Sequence, residues 1–434
     1  MARPPVRRPR RARLALMALL LAAAPLACSL GGPKPPQRLI LIVIDTLRRD
    51  HLGVYGAPAP TPNIDALAAR GQHFTNVVAS FHQTTMSMGS LFTGRTPSYE
   101  AGDARVLAWN GDNWCGLARL ALTPSSDACV PPGVPTLAEG LREAGYWTIG
   151  VASNQFLYEP SGFSRGFDDW LQVDDRPPVA GKASRQRLAN AHQSRTWHSV
   201  NRAAIAALNR RPRDRFFLYV HYVDVHDYLF QKVTYAAAVQ DMDQGVGRLL
   251  GQLESARLLE GAVVVLVSDH GEQLGELHNF PGELPKSFGH YGNPSFQEQL
   301  RIPLIVAPAR FADPDRFLRS QDVFQLLLEI GGVKREPSRD LEPDELFVGE
   351  ANYRTYRRGR WKSFLRREDG RHFLYDLEAD PQERSDVAAK FPEVAAEHVE
   401  RIDQLTRGLA AKAASQRGLT ESERERLRAL GYLD

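Results

Sequence analysis

Two long apolar, β-branched runs that each end in a carboxylate constrain this chain more than any other feature. RLILIVID (residues 38–45) finishes at Asp45, and AVVVLVSDHG (262–271) leads into Asp269 and His270. A strand without polar alternation has no face to give to water, so it belongs in a parallel sheet covered on both sides. Similar runs occupy 146–152, 216–223 and 302–306, with helical patterns between them. The expected fold is α/β, with a mostly parallel central sheet flanked by helices.

In such a sheet the carboxyl ends of the strands share one edge, where ligands bind. Hard carboxylate oxygens with one imidazole suit a divalent cation. A single aspartate after a strand is more often a cap than a ligand. SDHGE after a wholly apolar strand is the stronger signal, because a buried charge pair needs a partner.

A hydroxyl completes the set. TTMSMGSLFTGR (84–95) reads as a helix opening at Thr84 and stopping at Gly94. A helix N-terminus offers free N–H groups and a favourable dipole to an anionic ester. A metal beside it would activate the hydroxyl as a nucleophile. Thr85 is the rival, one position off. HYVDVHD (221–227) brings His221, Asp224 and His226 toward the same edge. His226 is the candidate acid or anion contact, whereas His221 reads as structural. His290, in a glycine-containing loop, is a further candidate; His278 has a lower claim.

The helices are signposted. Thr136 and Glu139 form a capping box before a helix that stops at Gly145. Other helices are expected over 61–71, 235–259 and 320–333. Residues 353–377 read as a hairpin turning at Asp369-Gly370, followed by a charged helical tail. Residues 174–213 are polar, arginine-rich and aperiodic, and read as a flexible surface segment.

Residues 1–13 carry six arginines and no acid, and an apolar run leads to Cys28. This pattern reads as an export signal. PLAC is a degraded lipoprotein box, and with the Gly/Pro-rich tether that follows it favours a lipid anchor at Cys28 over plain cleavage. The expected location is the periplasm or cell envelope. The formal charge of +3 comes from 54 basic against 51 acidic residues. Removing residues 1–27 leaves 48 against 51, a net −3, so nothing points to nucleic acid. Cys115 and Cys129, within one insertion, are expected to form a disulfide in an oxidising compartment. Trp109 and Trp114 in that insertion could stack on a sugar or pack around the bridge.

These pieces, in this order, resemble the sulfatase family of the alkaline phosphatase superfamily. The resemblance is carried by LILIVIDTLRRDHLGVYG (39–56), TPNIDALAARGQHFTN (61–76), SLFTGRTP (90–97), VPTLAEGLREAGYWTIGVASN (134–154), FFLYVHYVDVHD (216–227), VVVLVSDHGEQLGE (263–276), LRIPLIV (300–306), LYDLEADPQERSDVA (374–388) and ERLRALGYLD (425–434). It implies an alkaline-phosphatase-like central sheet and a small C-terminal antiparallel subdomain. The boundaries expected are signal 1–27, tether 28–37, catalytic domain 38–345 and C-terminal subdomain 346–434. Carried over, Asp45, Asp269 and His270 would bind one divalent ion (Ca, Mn or Zn), with Thr46 replacing a second aspartate. His226 would contact the substrate's anionic group, and His290 matches a basic active-site position.

The family signature begins Cys/Ser-x-Pro-x-Arg, ten residues before its glycine. Counting back from Gly94 gives Thr84, with Met86 and Met88 in place of proline and arginine. Threonine cannot become formylglycine, so none is expected. Thr84 resembles instead the threonine nucleophile of related phosphodiesterases and phospho-transferases, which also touches the metal. The expectation is a metal-dependent hydrolase of anionic esters, glycan- or lipid-linked, sulfate or (favoured by Thr84) phosphate. A phosphoethanolamine- or phosphoglycerol-type transferase and a non-catalytic binding protein are the alternatives.

Overall fold

Side-chain alternation along the first strand explains the architecture. In the computed structural model, Leu39, Leu41 and Val43 enter one hydrophobic core, while Ile40, Ile42 and Ile44 enter another. Successive side chains point to opposite faces of a sheet, so this run must be covered twice. Burying each such side chain stabilises the fold by about 1.5–3 kcal/mol. The structure describes residues 1, 34–98, 100–101, 106–108, 129–154, 156–157, 159–173, 195–210, 214–278, 288–290, 294–335, 341–350, 352–407 and 410–411. The expected export signal, Cys28, Cys115, Trp109, Trp114 and the tail beyond 411 lie outside them.

The main sheet has seven strands, in the spatial order 72–73, 304–307, 262–268, 38–44, 216–222, 147–152 and 169–172. The last five run parallel. Leu304–Ala307 and Gln72–His73 close one edge antiparallel. One layer of helices supplies Met86, Met88, Leu91 and Phe92, Leu137 and Leu141, and Leu327. The opposite layer supplies Ile64 and Leu67, Val200 and Ala204, and Val246 and Leu249. Met86 and Met88 are therefore core residues.

The register fixes the functional edge. Ile44 pairs with both Ser268 and Tyr222, and Ala152 pairs with His221. Asp45, Asp269, His221 and Asn154 consequently emerge at one end of adjacent strands.

A second sheet has the order 372–376, 361–366, 353–358, 345–349, 96–98 and 106–108. Its four C-terminal strands are antiparallel. The two short strands are parallel additions from earlier in the chain. The expected single hairpin is thus a meander with two turns, at Gly359 and Gly370, both of positive φ. The helix Pro392–Thr406 packs Ile402 against Leu341, Phe347 and Tyr356.

The helix Thr84–Thr93 leads straight into the second sheet, and all ten of its residues are buried. It ends at Gly94, whose φ of 69° is left-handed, a cap that glycine adopts without Cβ strain. The capping box at Thr136 and Glu139 is present.

One expectation is corrected. Within 174–213, Trp197–Arg210 is a helix, with Trp197, Val200, Ala204, Ala207 and Leu208 buried. Their three-to-four spacing marks one helical face, masked by the arginines and asparagines around it. Asp224 accepts from Thr196 Oγ1 at 2.6 Å and Trp197 N at 3.1 Å, anchoring that helix's start. No helix among the described residues is long and apolar enough to cross a membrane.

Candidate active site

Each of the two edge aspartates has one oxygen tied to the protein and one left over. Asp45 Oδ2 accepts from Asn154 Nδ2 at 2.7 Å and meets His221 Nε2 at 3.3 Å. Asp269 Oδ1 accepts from Thr46 N at 3.0 Å and His270 N at 2.8 Å. Asp45 Oδ1 and Asp269 Oδ2 are buried with no hydrogen-bond partner among the described residues. They lie 3.9 Å and 3.5 Å from His270 Nε2.

His270 is held in a defined tautomer. Its Nδ1 lies 2.8 Å from the Gly271 carbonyl, which can only accept, so Nδ1 carries the proton. That leaves Nε2 facing the two free oxygens, the nitrogen through which a histidine so oriented ligates a metal. The Thr84 hydroxyl sits 3.2 Å from that Nε2. Among the described residues, the hydroxyl within hydrogen-bond distance of His270 Nε2 is that of Thr84.

Thr84 is held there from two directions. Ser87, one turn along the same helix, donates to the Asp269 carbonyl at 2.6 Å. Gln83 caps the helix in extended backbone. Thr46 takes a left-handed φ of 58°, a costly conformation for a β-branched residue. That bend aims its N–H at Asp269, while its hydroxyl donates to the Asp45 carbonyl at 2.7 Å.

The electrostatics call for a cation. Burial opposes ionisation of Asp45, but the His221 hydrogen bond and the charges of His226, His221 and His270 hold its carboxyl well below the usual range. Burial and the charge of Asp45 push Asp269 up. Two fully buried carboxylates this close cannot both ionise comfortably without a positive partner. Among the described residues, Asp45, Asp269 and His270 are the trio whose ligand atoms lie within 4.8 Å of one another. Two unsatisfied carboxylate oxygens and one imidazole lone pair fit a divalent ion such as Ca, Mn or Zn.

The other two candidate histidines join the same cluster. The His290 ring lies 4.6 Å from that of His270 and 5.5 Å from that of His226. A two-residue pairing of Phe288–Gly289 with Gln273–Leu274 folds His290 back over the strand end. There its Nδ1 meets Glu272 at 3.0 Å. Burial raises Glu272 to about 7, against the charges of His226 and His270. Burial and the two neighbouring histidines hold His290 well below its usual pKa. His226 goes the other way: burial resists its charge, but the 2.9 Å bond to Asp227 and the charges of Asp45, Asp227 and Glu272 raise it to about 9.

Asn154, His221 and Glu272 were not assigned from sequence. Asn154 is a loop amide without a pattern. His221 is a satisfied buried histidine, with Tyr219 at 2.8 Å on one ring nitrogen and Asp45 at 3.3 Å on the other, so it also touches an edge carboxylate. Glu272 lies in the SDHGE run, but its contact with His290 depends on the fold-back. His278 pairs with Glu298 at 2.6 Å and stacks on Phe296, outside the cluster.

Comparison with known proteins identifies the family and the fold. The family model described as Sulfatase matches residues 37–333. The N-acetylgalactosamine-6-sulfatase of Canis lupus familiaris is 27% identical over 300 residues, covering 59% of this chain and 54% of the relative. The chain thus spans about half the length of such curated relatives. Two solved structures share the fold. Ps i-CgsB in complex with k-i-k-neocarrahexaose aligns with a TM-score of 0.64 at 18% identity, covering 91% of this chain and 97% of that one. The phosphonate monoester hydrolase of Agrobacterium radiobacter aligns with a TM-score of 0.59 at 17% identity, covering 89% and 98%.

Proposed function

Because the chain belongs to the sulfatase family, we propose that it is a divalent-metal-dependent hydrolase of anionic esters with Thr84 as nucleophile. The observation that carries this reading is the 3.2 Å separation of Thr84 Oγ1 from His270 Nε2, beside two half-free carboxylates. Asp45, Asp269, His270 and the Thr84 hydroxyl would hold the cation. When bound, it supplies Lewis-acid polarisation of the ester and a lowered hydroxyl pKa.

The chain's own groups do the rest. Thr84 opens a helix, so the first free N–H groups and the positive dipole end face the incoming anion. His226, kept protonated by Asp227, donates to an ester oxygen and gives its proton to the departing alcohol. His290, neutral and backed by Glu272, adds a hydrogen bond without adding charge. Asn154 and His221 hold Asp45, and the Thr46 N–H holds Asp269, so the reacting groups need little reorganisation.

Sulfate-ester hydrolysis is the reading the family supports. Thr84 moves the finer choice toward phosphate esters, diesters or phosphonates. Threonine cannot supply a hydrated aldehyde to expel sulfate, so release depends on water attacking the central atom, a step suited to phosphoryl groups. The phosphonate monoester hydrolase supports this through its fold. An N-acetylgalactosamine-6-sulfatase relative and a neocarrahexaose-bound neighbour support a glycan-linked ester. Export, lipidation at Cys28 and a Cys115–Cys129 disulfide belong to the same proposal and rest on sequence. No specific observation favours the transferase or binding-only alternatives.

The test is a substrate panel. With Mn, Zn or Ca added, bis-p-nitrophenyl phosphate should be cleaved faster than p-nitrophenyl sulfate, and a chelator should stop both. Rapid sulfate cleavage with no phosphodiester cleavage would overturn the phosphoryl preference. Turnover unaffected by chelator would overturn the metal.

A further inference from the structure

Beside the second sheet lies a cavity of about 360 Å³ lined by Asn76, Gln297, Arg301, Phe317, Arg357 and Arg360. Its two acids, Asp344 and Glu378, each have another arginine nearby. Arg360 pairs with Asp376 and, at 3.0 Å, with Glu378, and Asp344 lies 3.8 Å from Arg358. Two cations are left over. The Arg301 guanidinium makes no hydrogen bond or ion pair among the described residues. That of Arg357 donates only to the Gly359 carbonyl, at 3.0 Å, and lies 4.8 Å from the centre of the Phe317 ring.

Arg301 and Arg357 face the same cavity, and among the described residues no carboxylate lies within ion-pair distance of either guanidinium, although Asp344 and Glu378 also line it. Burial and then the charge of Arg301 lower Arg357 to about 10, only partly offset by the charges of Glu383 and Asp344. Gln297 is an independent sign. It lines the same cavity, is only 6% exposed, and its buried amide nitrogen has no hydrogen-bond partner among the described residues. A buried donor left unsatisfied costs about 1–3 kcal/mol, and this one stands beside two unanswered guanidinium groups.

We propose that this cavity is a second anion-binding site, in which Arg301, Arg357 and Gln297 hold a sulfate-type oxyanion apart from the reacting ester. Arginine's planar fork matches such oxygens bidentately. A chain of contacts leads from this cavity toward the catalytic edge. A neighbouring cavity of about 290 Å³ shares Gln297, Arg301 and Pro381 with it and reaches Arg48 and His278. Arg48 donates to the Glu272 carbonyl at 3.0 Å, and Glu272 holds His290. The oxyanion is either a remote charged group of a multiply charged substrate or free inorganic sulfate. The substrate source rests on the ester-hydrolase reading, whereas the binding site does not.

The experiment titrates sodium sulfate into the full chain by calorimetry at constant ionic strength, for wild type, Arg301→Gln and Arg301→Gln/Arg357→Gln. Sulfate affinity should fall at least about tenfold in both variants, as expected for lost charge-assisted bonds. Arg301 is exposed, so the single variant keeps the measurement interpretable if the double variant misfolds. Wild-type sulfate affinity in folded Arg301→Gln would overturn the proposal. A competition arm separates the sources. Displacement of sulfate by a disulfated disaccharide far more tightly than by p-nitrophenyl sulfate, in wild type alone, identifies a substrate-borne anion. Equal displacement by both, with sulfate affinity still lost in the variants, identifies free sulfate. Because it reads binding, the result stands whether or not ester hydrolysis is detected.

Discussion

Asn154 Nδ2 donates to Asp45 Oδ2 at 2.7 Å, and this bond decides which oxygen of the aspartate is left for a cation. His221 shares that oxygen from the adjacent strand. Asp269 is treated the same way by the Thr46 and His270 amides. The site is therefore preorganised by groups that would not themselves touch the metal.

Asn154→Ala is accordingly expected to weaken metal binding about 10–100-fold, the usual cost of losing a group that orients a ligand. The check is Mn titration followed by the metal-induced rise in melting temperature, because ligand binding stabilises the native state by mass action. An unchanged affinity would mean that Asp45 needs no orientation by Asn154.

The protonation of His226 sets an alkaline limit. Its folded pKa, about 9, is raised above the ordinary value. Its charge-linked stabilisation is therefore fully present below about 6.5 and is lost as pH rises through about 9. Activity that uses its proton declines in the same direction. A bound cation opposes the imidazolium, so the limb in the loaded enzyme sits at or below pH 9. Asp227→Asn removes the negative charge that helps raise the pKa and weakens the bond to His226, so the limb of kcat/KM should move to lower pH. An unmoved limb would assign it to another group.

Gly94 terminates the Thr84 helix where a Cβ would stand 2.5 Å from Phe324, at a φ of 69°. Gly94→Ala combines left-handed strain with overpacking, together costing about 2–5 kcal/mol. Chemical denaturation should show that loss. Loss of activity should accompany it, since the same helix places Thr84. A neutral substitution would show that the helix end can repack.

Much of this was legible in the sequence because it rests on pattern. Unbroken apolar runs ending in Asp45 and Asp269 declare a doubly covered sheet and its ligand edge. A helix with a glycine stop locates Thr84 by counting. What was hidden rests on tertiary contacts. Asn154 carries no periodicity, and Glu272 meets His290 only because Gly289 pairs back with Gln273. The Trp197–Arg210 helix was obscured because its buried stripe is small residues set among polar ones. Met88 stands where the resemblance expected an arginine, and its burial in the core follows from its apolar side chain.

The central claim is that Thr84, and no neighbouring hydroxyl, attacks the ester. The most direct measurement is the initial rate of bis-p-nitrophenyl phosphate hydrolysis with saturating Mn, for wild type, Thr84→Ala and Thr85→Ala. The account predicts a fall of at least about a thousandfold for Thr84→Ala, the scale of losing a nucleophile, and a far smaller change for Thr85→Ala. Turnover that survives Thr84→Ala but disappears in Thr85→Ala would contradict it.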